Sequence, residues 1–358
     1  MSPGTVVLLN LQKAELLDCD GSDSFLQSGF WGSFKARFGW EALAFRAVWG
    51  GAASPDGGTR DGVEKPLLVL RRRLAPGFAL AYVPWGPELP GINAIGDFAR
   101  ETAVKELAAS LRKLLPKDTV FIRFDIPWYT TEPPSPPPSP FRRSADIQAP
   151  DTVLVDLTGS MEAVMEQMKP KWRYNARLAL KKGVSIDRAD IGELDIFYGL
   201  LKETARRDGI AIHGVEYYRA LFESADYPGR KPDIRLYLAR HEGEALAGIV
   251  TLFRGPKAVY LYGASSGKKR NLMATYALQV KAMEDAKASD CVEYDLFGIP
   301  PSQDPAHPMA GLYQFKTGFG GKIVHRPGCW DYPCYNLLYH VYFCAEKVRK
   351  GILNLRKR

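Results

Sequence analysis

Thr119-Val-Phe-Ile-Arg-Phe-Asp-Ile-Pro127 and Val292-Glu-Tyr-Asp-Leu-Phe-Gly-Ile-Pro300 decide the fold of this chain. Each reads as an apolar strand stopped by a proline, which cannot donate to a central ladder, and each closes the same succession of elements. Before the first run come β-rich segments at 40–49, 67–73 and 78–83 and a helical stretch at 94–115. Before the second come a meander at 234–240, 245–253 and 258–262, with turns at 241–243 and 255–257, and a helix at 271–288. A meander, a helix and a strand returning beside the meander is the order of an acetyltransferase-like (GNAT-like) domain. Its recurrence predicts an α/β fold, of the α+β type, made of two tandem GNAT-like domains. The first is expected over 1–150 together with 326–358, where a helix at 336–350 returns to pack on it, and the second over 151–325. The proline-rich run at 130–140 is a stiff polyproline-II-like excursion that fits neither sheet.

At 358 residues, the chain exceeds the usual single core of roughly 100 to 200 residues. Its 25% charged and 46% apolar residues are those of an ordinary globular protein and exclude extensive disorder. A net charge of +8 and a pI near 9.1 favour a polyanionic partner, either RNA or a phosphorylated precursor, or an anionic membrane surface. The first residues lack a basic segment followed by a long apolar one, and no apolar run reaches the ~20 residues of a spanning helix. The chain is therefore read as cytoplasmic, with contact to the inner face of the membrane left open; it is taken to be a monomer. Neither a metal site nor a cofactor is predicted, because Walker A, HExxH and CxxC patterns do not occur and histidines number five. The five cysteines read as reduced thiols, although Cys329 and Cys334 could pair on spacing alone.

Three segments carry candidate chemistry. In His307-Pro-Met-Ala-Gly-Leu-Tyr-Gln-Phe-Lys-Thr-Gly-Phe-Gly-Gly321, Lys316 stands among aromatics beside a glycine-rich bend that would let backbone approach a ligand; a surface-loop lysine beside a turn is the plainer reading. In Trp172-Arg-Tyr-Asn-Ala-Arg-Leu-Ala-Leu-Lys-Lys-Gly183, Pro170 opens a helix that Gly183 closes. Arg173, Arg177 and Lys181 share one of its faces, solvated or in contact with RNA, and Trp172, Ala176, Ala179 and Leu180 form the apolar face. In Tyr260-Leu-Tyr-Gly-Ala-Ser265, one tyrosine is expected to face a cleft and the other to pack within the sheet.

Together these segments resemble the FemABX family of non-ribosomal peptidyltransferases, which move an amino acid from aminoacyl-tRNA onto peptidoglycan precursors. The resemblance covers most of the chain and is strongest over 168–330. It implies that Lys316, following Phe315, points toward the 3′ end of the tRNA and stabilises the oxyanion formed when an amine attacks the ester. It implies an acidic counterpart at Asp125 in Arg123-Phe-Asp-Ile-Pro127, offset by one residue from the family pattern, as base, as orienting group, or as a carboxylate paired with Arg123. Lys35, in Gln27-Ser-Gly-Phe-Trp-Gly-Ser-Phe-Lys35, resembles a precursor-binding lysine; the residues alone make Trp31 and Phe34 packing groups and Lys35 an exposed end. Tyr217 matches a precursor-binding tyrosine, and His213 stands where the soluble-precursor branch has arginine. Tyr260 and Tyr262 join the precursor set, and Arg173, Arg177, Lys181 and Phe315 the tRNA set. The long coiled-coil arm of several members has no room here.

The resemblance implies transfer of glycine, alanine or serine from aminoacyl-tRNA to the side-chain amine of a nucleotide-linked or lipid-linked peptidoglycan precursor, in cell-wall bridge or branch synthesis. An acetyl-CoA-dependent N-acyltransferase is the rival enzyme. Its pyrophosphate turn needs glycines, whereas Arg270-Asn-Leu-Met-Ala-Thr275 places Met273 at the first of them. A non-catalytic RNA-binding protein would explain the charge but not the Phe315-Lys316 segment.

Overall fold

The computed structural model describes residues 6–51, 62–130, 136–224 and 227–355, except the side chains of 349–355. Residues 131–135 of the proline-rich run lie outside the described residues. Two compact units are present, Met1–Gln148 with Arg326–Arg358, and Ala149–His325.

The first unit opens with β1 (Val6–Ala14), α1 (Gly29–Ala36), β2 (Glu41–Gly51), β3 (Val63–Ala75), β4 (Phe78–Val83), α2 (Asp97–Leu114), β5 (Thr119–Ile126) and β6 (Arg142–Arg143). The second contains β7 (Thr152–Asp156), α3 (Met161–Gln167), α4 (Pro170–Lys181), β8 (Ser185–Ala189), α5 (Leu194–Asp208), α6 (Val215–Glu223), β9 (Asp233–His241), β10 (Glu244–Arg254), β11 (Lys257–Ser265), α7 (Ala274–Ala288), β12 (Glu293–Asp295), α8 (Ala310–Thr317) and β13 (Lys322–Val324). The chain then returns to the first unit with β14 (Gly328–Pro333) and α9 (Asn336–Leu355).

The first sheet runs β1-β2-β3-β4-β5-β14-β6 and the second β8-β9-β10-β11-β12-β7-β13. In both, four antiparallel strands lead to a helix and a parallel return, β4 to β5 and β11 to β12. Both units are therefore GNAT-like, and among the described residues no coiled-coil arm is inserted. Each helix before the return strand buries one stripe. Ala103, Val104, Leu107, Ala108 and Leu111 of α2 enter the first core, while Ala277, Leu278, Ala282, Met283 and Ala286 of α7 enter the second.

The strand on the far side of the return strand comes from opposite ends of the chain. In the second unit it is β7, which precedes the meander; in the first it is β14, which arrives after the whole second unit. All eight residues of β5 are buried, so it needs this neighbour. Arg123 on β5 donates to both carboxylate oxygens of Asp331 on β14 at 2.7 and 2.8 Å, and the Tyr339 hydroxyl of α9 donates to the same carboxylate at 3.0 Å. A pairing of Arg123 with Asp125 is thus corrected: alternate residues of a strand share a face, but Arg123 is already held by Asp331.

Other sequence expectations also change. The ladder of β12 ends at Asp295 rather than at Pro300, because Phe297 adopts a left-handed φ of 56° and turns the chain away. Leu180 is 59% exposed, so it leaves the apolar face that Trp172, Ala176 and Ala179 do form. Cys329 and Cys334, at the two ends of β14, are buried free thiols.

Asp331→Ala would leave the Arg123 guanidinium buried without its counter-charge. We expect a loss of about 3 to 5 kcal/mol in urea unfolding of the first unit. A loss under ~1 kcal/mol would mean that β14 is held by its ladder alone.

Candidate functional site

In the second unit, β11 and β12 pair over only three residues, Lys257 with Glu293, Ala258 with Tyr294 and Val259 with Asp295. Beyond that point β11 continues while the chain leaves β12, and the two strands part. Asp295 fixes the departure: it accepts from the Phe297 amide at 2.8 Å and from the Thr152 hydroxyl. The left-handed turn at Phe297 aims the carbonyls of Phe297 and Gly298 out of the sheet. The Lys316 ammonium donates to both, at 2.8 and 2.9 Å, and lies 5.1 Å from the Tyr260 ring centroid. Tyr260 is the first residue of β11 past the paired segment, and a Cβ at Gly263 would overlap its hydroxyl, which explains the glycine.

Lys316 sits in the last turn of α8, not in a loop after a strand, and only 6% of it is exposed. The sequence suggested a loop because glycines and aromatics surround it, but packing makes the helix. The Trp172 indole of α4 donates to the Phe315 carbonyl at 2.8 Å, and Phe315 meets Tyr276 and Phe319 edge-on at 5.3 and 5.0 Å. Gly318 is glycine because any Cβ would overlap Trp172. Gly320 and Gly321, both at positive φ, press against the backbone of Gln167 and Leu154. The bend therefore approaches protein backbone rather than a ligand, and its close packing fixes Lys316.

Burial pushes the Lys316 ammonium down from the ordinary lysine value to about 7, opposed in part by the charge of Asp295. Its hydrogen-bond partners are carbonyl dipoles, which solvate the charge without neutralising it. Among the described residues, two of its three N–H donors are engaged, and the third is open to an incoming oxygen.

Further along β11, the Tyr262 ring meets Tyr218 edge-on at 5.1 Å and its hydroxyl bonds to Tyr217, whose own pKa burial raises to about 12. The exposed His213 ring stacks on Tyr217 with centroids 3.8 Å apart. His213, Tyr217 and Tyr262 thus form one cluster, while Tyr260 belongs to the surroundings of Lys316. On α4, Arg177 and Lys181 are exposed. Arg173 is not available in the same way: it donates to the carbonyls of Met168 and Glu166 at 2.6 and 3.0 Å and so caps α3.

In the first unit, Asp125 lies one residue past the last β4–β5 pair, Val83 with Phe124, and is fully buried. One carboxylate oxygen accepts from the Tyr82 hydroxyl at 2.9 Å and the Gln148 amide at 3.3 Å; the other, Oδ1, has no partner among the described residues. Burial raises its pKa to about 7 against these hydrogen bonds. Lys35 is not an exposed end. It is half-buried with Nζ 5.7 and 5.9 Å from the Trp31 and Trp40 ring centroids, and burial, then Arg72, lowers it to about 8. The Arg72 guanidinium lies over the same Trp40 ring at 5.4 Å. Gln27 is structural: its side-chain amide exchanges hydrogen bonds with the Leu68 backbone and donates to Pro84.

The sequence reading missed Tyr82, Asp295 and Arg72. Asp295 alone left a signal, since Asp125 and Asp295 occupy matching places near the ends of the two return strands.

The family model of FemAB matches residues 141–241 and 236–347. The chain belongs to the FemAB family. Curated relatives include lipid II:glycine glycyltransferases of Staphylococcus epidermidis, 24% identical over 261 residues covering 57% of this chain and 62% of the relative, and of Staphylococcus aureus, 23% over 279 residues covering 59% and 66%. The chain thus spans less than two-thirds of the length of these relatives. A crystal structure of FemX superposes with a TM-score of 0.72 at 18% identity, covering 93% of this chain and 99% of that one, which establishes a shared fold.

A buried ammonium with no counter-ion in contact costs stability. Below about 7 both folded and unfolded Lys316 are charged and the burial penalty is full; it is relieved as pH rises from about 7 toward 10.5. Lys316→Met should therefore be more stable than the parent at pH 6, by about 1 to 3 kcal/mol in urea unfolding, with the gap closing by pH 10. A variant markedly less stable at pH 6 would make Lys316 a structural pin.

Proposed function

We propose that this FemAB-family protein is a cytoplasmic aminoacyltransferase that moves glycine, alanine or serine from aminoacyl-tRNA to the side-chain amine of a peptidoglycan precursor's stem peptide. The observation that carries the reading is Lys316, a buried ammonium held by two carbonyls where β11 and β12 part. Family membership and the glycyltransferase relatives support the reaction class, and the lipid II named for those relatives makes a lipid-linked precursor the acceptor we favour.

The donor ester needs no further activation. A neutral acceptor amine attacks its carbonyl carbon, the C–N bond forms, and the oxyanion takes the third N–H of Lys316. The intermediate collapses with cleavage of the ester C–O bond. The amine's proton passes to a base, and the departing ribose oxygen receives one, with the vicinal hydroxyl available as a relay. Asp125, its carboxyl raised to about 7 and one oxygen unpartnered, is our candidate base. Lys35, with Arg72 beside it, and the His213, Tyr217 and Tyr262 cluster with Tyr260 are assigned to the precursor. Phe315, Arg177 and Lys181 are assigned to the tRNA, with Arg173 positioning α3.

An acetyl-CoA donor is disfavoured by a specific feature. Met273, whose side chain packs against the second core, holds the left-handed conformation, φ 58°, at the start of α7, at the position where a pyrophosphate-binding turn needs glycine.

Two measurements test the proposal. In single-turnover transfer from pre-charged glycyl-, alanyl- or seryl-tRNA, Lys316→Met should lower the rate about 100- to 1,000-fold. The parent rate should rise as Asp125 loses its proton and fall as Lys316 loses its own, a narrow bell centred near 7; Asp125→Asn should flatten the acid limb. A rate that climbs steadily to pH 9 would contradict a charged Lys316.

For tRNA binding, Arg177→Ala with Lys181→Ala should flatten the salt dependence of affinity by about one unit of slope per contact. An unchanged slope would make that face merely solvated.

A further inference from the structure

The first unit carries a surface that the transfer chemistry does not use. α9 packs inward through Tyr339 and Tyr342, whose ring centroids lie 5.4 and 4.9 Å from that of Phe121 on β5, and Tyr342 stacks on Phe78 at 5.9 Å. The opposite side of the helix is apolar and open. Leu337, Val341 and Val348 are 77%, 59% and 63% exposed, and with the exposed Cys344 they follow the i, i+4, i+7, i+11 spacing of a single stripe. From Asn336 onward the sequence has one acidic residue, Glu346, against Lys347, Arg349, Lys350, Arg356, Lys357 and Arg358, so this segment holds a surplus of five positive charges out of the chain's +8.

A second feature lies beside the first turn of α9. A pocket of about 260 Å³ is lined by Arg112, Lys113, Lys117 and Tyr335 among others, with the Arg112 guanidinium 5.5 Å from the Tyr335 ring centroid. Among the described residues no acidic side chain lines it. Three cations and a 40%-exposed tyrosine thus adjoin the start of an apolar stripe.

We propose that α9 and the Arg112–Lys113–Lys117 pocket dock the protein on a bilayer of anionic phospholipid. The helix lies along the interface, its stripe among the acyl chains, and the pocket receives a phosphate headgroup. Charge complementarity selects this occupant. A second copy meeting the same face about a twofold axis would bury the stripe but set two cationic segments against each other. A nucleic acid would match the cations and leave the stripe in water. The contact stands on this face alone; only its purpose, bringing the enzyme to a lipid-linked acceptor, rests on the transferase reading.

The test is flotation of the full chain with vesicles of phosphatidylglycerol and phosphatidylcholine against vesicles of phosphatidylcholine alone. Enrichment on the anionic vesicles is expected. Leu337→Glu, Val341→Glu and Val348→Glu combined should reduce it roughly tenfold or more, and alanine at Arg112, Lys113 and Lys117 about fivefold per charge removed. Circular dichroism and an unchanged melting temperature confirm that both variants fold. Transfer to a soluble, lipid-free acceptor, read separately, should be the same in all three proteins, so failure of the transferase reading leaves the vesicle result intact. Equal binding to the two kinds of vesicle, or binding to neither, overturns the proposal. So does sedimentation showing a dimer of the parent chain that the triple glutamate variant abolishes, because the stripe would then belong to a second copy.

Discussion

The Lys316 ammonium, held by the carbonyls of Phe297 and Gly298, is the interaction on which the second unit's site depends. A charge taken this far from water is tolerated only where dipoles replace its hydration. Those dipoles exist because β12 stops after three residues and Asp295 turns the chain through a left-handed Phe297. Trp172, Phe315, Phe319 and three glycines then hold the end of α8 so that the lysine cannot swing out to solvent. The two segments that carry the family resemblance, around Trp172 and around Lys316, meet through the bond from the Trp172 indole to the Phe315 carbonyl.

The first unit repeats the topology with an aspartate at the matching place but a different use for it. There Asp125, next to last in the return strand, is buried against Tyr82, where the second unit has Asp295 shaping a turn. One design thus yields a carboxyl raised toward neutrality in one unit and an amine lowered toward neutrality in the other, both by desolvation. A group poised near neutral pH takes up or gives up a proton at little cost, the property that the proposed acyl transfer would use. The chain's route has its own consequence. Because β14 comes from beyond the second unit, the first sheet is complete only after residues 149–325 have been made, and the Arg123–Asp331 bond secures that late addition.

Much of this was legible in the sequence. Alternating apolar runs and their terminal prolines gave the repeated meander, helix and return strand, and Pro170 and Gly183 bracketed α4 because each residue restricts the backbone locally. What escaped was set by distant partners. The counter-ion of Arg123 lies 208 residues away, and β14 reads as a short run broken by an aspartate until that partner is known. α8 looked like a loop because its helix is stabilised by Trp172 and Phe319 rather than by its own glycine-rich sequence. Leu180 looked like core from its spacing, yet nothing covers that edge of α4, whereas Lys35 looked exposed until Trp31 and Trp40 closed around it.

For the proposed transfer, Lys316 must titrate near neutrality in the folded protein and carry its charge when the oxyanion forms. The direct test is an NMR titration of the lysine side chains labelled with 13C at Cε, with Lys316→Met identifying the resonance. A midpoint near 7 is expected for that signal, with Lys35 the neighbouring one near 8, both below the ordinary lysine value. A midpoint near the ordinary lysine value would contradict a buried ammonium, since the charge would then be hydrated rather than held by the carbonyls of Phe297 and Gly298.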